Sequence, residues 1–104
     1  MTLQQAAQQS IDDRWLPISQ AGSIAEMDEI FARTGCAMCN YQGDLTGYRG
    51  RCGDCQLNDR LKGIVCCKEF LDWWNAVYIQ KDFPIAQASA NAMVDRLRKI
   101  AEGI

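Results

Sequence analysis

Four of the six cysteines stand in two close pairs, Cys36-Ala-Met-Cys39 and Cys52-Gly-Asp-Cys55, with twelve residues between the pairs. Two intervening residues let the chain turn and aim both sulfurs of a pair at one ion. Backbone amides that follow each turn can donate to the thiolates and spread their charge. Gly53 eases the second turn, and Asn40 tolerates the left-handed backbone that the first requires. The pattern therefore predicts one tetrahedral site held by Cys36, Cys39, Cys52 and Cys55.

The 104 residues suit a single domain spanning 1–104. At 48% hydrophobic and 23% charged, the composition is that of a globular chain. A domain this small buries a modest share of its surface, so a structural metal would add stability. Cys66 and Cys67, separated from Cys55 by ten residues, begin a predicted helix, where a thiolate is favoured. Either is an alternative ligand. The stretch Met1–Gln9 is polar and glutamine-rich, with no apolar signal, and no run approaches membrane-spanning length. A cytoplasmic location and metal-bound rather than disulfide-bonded cysteines are expected.

Between the pairs, Gly43, Gly47 and Gly50 supply turns, while Tyr41, Leu45, Tyr48 and Arg49 suit short strands. This organisation resembles a zinc ribbon or zinc-knuckle module over residues 36–55. The resemblance implies a metal and leaves the function open, since such modules serve many roles. Zinc is the expected cofactor. Four thiolates also suit an iron–sulfur cluster, which spacing alone leaves as the alternative.

Elsewhere the signals are helical. Thr2 and Gln5 form a capping box for a short first helix, and Ser23 with Glu26 starts a second that stops at Gly35. Between them, Asp12, Asp13, Pro17 and Gly22 predict an irregular connection, tacked down by Trp15, Leu16 and Ile18. A third helix is predicted from Cys66 or Cys67 to about Lys81. Its Phe70, Leu71, Trp73, Trp74, Val77 and Tyr78 fall in one broad arc, with Ile79 pointing away. Pro84 opens a last helix that ends at Gly103 and pairs with the third as a hairpin. Phe70, Trp74, Val77, Ile85, Leu97 and Ile100 are expected in the core. The fold expected from these signals is mainly α: a small helical domain with an inserted zinc-ribbon-like module and a C-terminal helical hairpin.

The chain has no histidine, the commonest base near neutral pH. Four cysteine ligands close a zinc site to substrate, and no GxGxxG or P-loop is present. A non-enzymatic, zinc-stabilised protein-interaction or adaptor module is the leading expectation. Its contact residues would include Trp73 and the turn bearing Tyr41, Tyr48, Arg49 and Arg51. Those same tyrosines and arginines support the alternative, a regulatory protein that binds nucleic acid. A net charge of -2 argues for neither partner strongly. Thiol redox chemistry at Cys36/Cys39 or Cys66/Cys67 is the enzyme alternative.

Overall fold

The computed structural model describes residues 2–34 and 67–103. The first run is helical almost throughout: α1 (Leu3–Ser10), a π-helical turn (Ile11–Trp15) and α2 (Leu16–Gln20) follow one another without a break. α3 spans Ile24–Arg33. The second run comprises α4 (Lys68–Asn75), another π turn (Ala76–Gln80) and α5 (Phe83–Ala101). α5 is the central element, packing against α1, α2 and α4, and α3 leans on α2 and on the second π turn.

Local chemistry sets the helix starts. The Gln5 amide donates to Thr2 Oγ1 at 3.1 Å while Gln5 Oε1 accepts from the Thr2 amide at 2.9 Å, a complete capping box. Ser23 Oγ accepts from the Glu26 amide at 3.2 Å, but Glu26 reaches one residue further back, to the Gly22 amide, at 2.8 Å. Asp82 Oδ1 caps α5 by accepting from the Ile85 amide at 3.1 Å, and Pro84 sits in the first turn.

The expected connection over Ser10–Gly22 is instead helix as far as Gln20. Two physical features reconcile the breakers with that outcome. The Leu16 amide bonds back to the Ile11 carbonyl, so the wide turn lies just before Pro17. Proline has no amide to donate, and a π turn is one way a helix accommodates the lost bond. The wide turn also keeps one face inward. Ala6, Ser10, Arg14 and Ile18 form one buried track, and Ala7, Ile11, Trp15 and Ser19 another, each with a step of four. At 3.6 residues per turn, each step of four overshoots by about 40°, so three would rotate the track by about 120°. The extra residue of the π turn absorbs much of that drift.

On α5 the buried side chains are Ala86, Ala90, Met93, Val94 and Leu97, the stripe of a helix lying on a core. Ala86 and Ala90, like Ala6 and Ala7 of α1, are wholly buried. Alanine leaves these helix faces flat and lets the backbones approach. A half-buried ion pair, Arg96 Nη1 to Glu69 Oε2 at 2.8 Å, links α5 to α4. Gln87 Nε2 donates to the Ser19 carbonyl at 3.2 Å and links α5 to α2.

The expected fold class is corrected. Among the described residues 86% are helical and none lies in a strand, so the described architecture is all-helical, with no β-based zinc-ribbon fold among those residues. The physical reason is that the described helices pack their aromatic and alanine side chains on one another, without a sheet. Residues 36–55, on which the ribbon expectation rests, lie outside the described ones.

Lys81, between the second π turn and α5, adopts a left-handed conformation (φ 55°, ψ 42°). A side chain there costs roughly 1–2 kcal/mol, which glycine avoids at some cost in unfolded-state entropy. Lys81→Gly is therefore expected to stabilise the protein and raise its Tm by roughly 5 °C in thermal unfolding. An unchanged or lower Tm would show that the lysine side chain makes a compensating contact.

Candidate interaction surface

Trp73 organises the interior. It is fully buried and meets Phe31 at 5.0 Å and Trp15 at 5.3 Å between ring centroids. Tyr78 and Phe70 lie at 6.0 and 6.4 Å. The Trp15 and Tyr78 rings present edges to it, the arrangement that ring quadrupoles favour. One side chain of α4 thus joins the first helical run, α3 and the second π turn.

Trp74, its neighbour, is 40% exposed. The sequence pattern puts Trp73 among the contact residues and Trp74 in the core, and the structure interchanges the two positions. Ala76 explains this. At 3.6 residues per turn it lies about 60° from Trp73, on the side away from Trp74. Ala76 is wholly buried, so the inward face of α4 is centred nearer Trp73 and Ala76 than the broad aromatic arc suggests. Ile85 is likewise corrected: it is 46% exposed, one position out of phase with the Ala86, Ala90 and Met93 stripe. Val77 and Leu97 are buried, and Phe70 and Ile100 pack against the core from its margin.

Among the described residues, the exposed large apolar side chains, Trp74, Ile79 (65%) and Ile85, all come from the stretch where α4 passes through its π turn into α5. Trp74 is not loose there. Its ring lies 5.1 Å from that of Tyr78, and the Tyr78 hydroxyl donates to Asp28 Oδ1 of α3 at 2.6 Å. The corner is braced from a second element, fifty residues away in sequence.

Burial, and then the hydrogen bond to Asp28, push the Tyr78 phenol up from its ordinary value of 10.0 to about 12. Both favour the neutral hydroxyl over the phenolate. Because the folded-state value is the higher, this contribution to stability is complete below pH 10 and is lost as pH rises through about 12. In an ultraviolet titration of phenolate absorbance, a late step above the ordinary tyrosine range is expected, and Tyr78→Phe should abolish it. Simultaneous ionisation of all tyrosines near their ordinary value would contradict the geometry.

A second feature lies where α3 ends. Arg14 is only 8% exposed, in the first π turn. Its Nε donates to Thr34 Oγ1 at 2.9 Å, and its Nη2 donates to the Phe31 carbonyl at 3.1 Å and closely to the Thr34 carbonyl. The guanidinium carbon sits 4.3 Å from the centroid of the Phe31 ring. A cation placed on the last carbonyls of a helix satisfies orphan acceptors and matches the negative end of the helix dipole. The chain therefore leaves α3 from a clamped position. Sequence reading missed Arg14, because nothing near it in sequence announces its acceptors.

The metal expectation is corrected as well. Among the described residues, no three His, Cys, Asp or Glu side chains converge in a way that could hold an ion. Neither zinc nor an iron–sulfur cluster enters the functional reading. Cys36, Cys39, Cys52, Cys55 and Cys66, with Tyr41, Tyr48, Arg49 and Arg51, lie outside the described residues. Cys67 is described. It stands just before α4 and is 1% exposed within the core, where it takes the place of a small apolar side chain.

No family model, curated protein or solved structure matches this chain. Among the described residues, no helix is long and apolar enough to cross a membrane.

Proposed function

We propose that this chain is a small, non-enzymatic, helical protein-interaction module, acting in the cytoplasm, whose contact surface is the corner of Trp74, Ile79 and Ile85. The observation that carries the reading is the state of Trp74: exposed, yet held against Tyr78, which is anchored on Asp28. Tryptophan is enriched among the few residues that dominate binding energy at protein interfaces. A ring already held in place loses little freedom on binding, so more of its contact energy appears as affinity. Ile79 and Ile85 are further exposed apolar side chains close by in sequence, and Asn75, Gln80 and Lys81 are exposed polar neighbours in sequence that suit a rim. Protein rather than nucleic acid is the proposed partner because the exposed side chains of this corner are apolar.

Capture of partners from native extract, with and without nuclease, tests the proposal. Nuclease-resistant capture of one defined protein is expected. Trp74→Ala should weaken that complex about 30-fold, the effect of losing a dominant contact residue, while the melting temperature stays nearly constant. Ile79→Glu should do likewise by placing a charge in the contact surface. Capture that is nuclease-sensitive, or that persists undiminished in both variants, would overturn this reading and favour nucleic acid or another surface.

A further inference from the structure

We draw no further inference here: the strongest candidate, the apolar corner of Trp74, Ile79 and Ile85 where α4 turns into α5, belongs to the surface already described, and nothing in the structure shows what covers it.

Discussion

Trp73→Ala is expected to cost about 3–5 kcal/mol, close to the whole stability of many domains of this size. The residue is wholly enclosed and its ring meets those of Trp15, Phe31, Phe70 and Tyr78. Truncation removes the transfer energy of a large side chain and leaves a cavity among rings that come from three separate parts of the fold. Those rings cannot all move inward together, so little of the cavity should collapse. Trp73→Phe should be far milder. The indole Nε1 is buried with no hydrogen-bond acceptor among the described residues, so phenylalanine removes an unsatisfied donor along with some volume. Trp74→Ala, at the exposed neighbour, should cost much less than Trp73→Ala. Urea unfolding of the three variants gives the ranking through their midpoints. Equal losses in Trp73→Ala and Trp74→Ala would show that the inward face of α4 is not the one described.

Removal of Arg14 has the second-largest expected effect. Arg14→Ala leaves the Phe31 and Thr34 carbonyls without the cation that now bonds them, and strips the guanidinium from the Phe31 ring. Hydrogen bonds to a charged donor contribute about 1.5–3 kcal/mol each when net effects are counted, and losses within one cluster are not additive. A total of about 3 kcal/mol is expected. Arg14→Lys keeps the charge but lacks the planar fork that reaches Thr34 Oγ1 and two carbonyls together, so it should recover only part of the loss. Hydrogen exchange locates the damage. The Thr34 amide, bonded to the Ile30 carbonyl at 3.1 Å, should exchange faster in Arg14→Ala while the amides of α5 track global stability. Full stability in Arg14→Ala, with Thr34 still protected, would mean that the clamp does not hold the end of α3.

Both predictions rest on residues whose roles were unevenly legible in the sequence. Trp73 was recognisable as part of an aromatic arc, but the arc left open which edge faces inward. Side-chain size gives weight to Trp74 and Tyr78 and little to Ala76, whereas packing rewards the flat surface that alanine presents. The exposed position of Ile79 was legible, since it stands outside the arc. That of Ile85 was not, because its neighbour Ala86 takes the inward place. The paired cysteines pointed to a metal module. The described residues provide an all-helical core and no cluster of ligands, and spacing by itself carries no information on how flanking helices close around one another.

What the sequence by itself determined about this protein is where helices begin. Thr2 with Gln5 and Ser23 with Glu26 act through bonds spanning three or four residues, and Pro84 through its own fixed backbone, so the informative groups are neighbours in the chain. Only the tertiary structure decided that helix continues past Asp12, Asp13 and Pro17, that Arg14 is buried, and that Trp74 rather than Trp73 meets solvent. Each of these depends on partners far along the chain: a core face that must stay aligned through a π turn, the carbonyls of Phe31 and Thr34, and the rings of Trp15 and Phe31. Burying those groups together outweighs the local preference for a break or the local reading of an apolar face, and no short window of sequence contains both halves of the interaction.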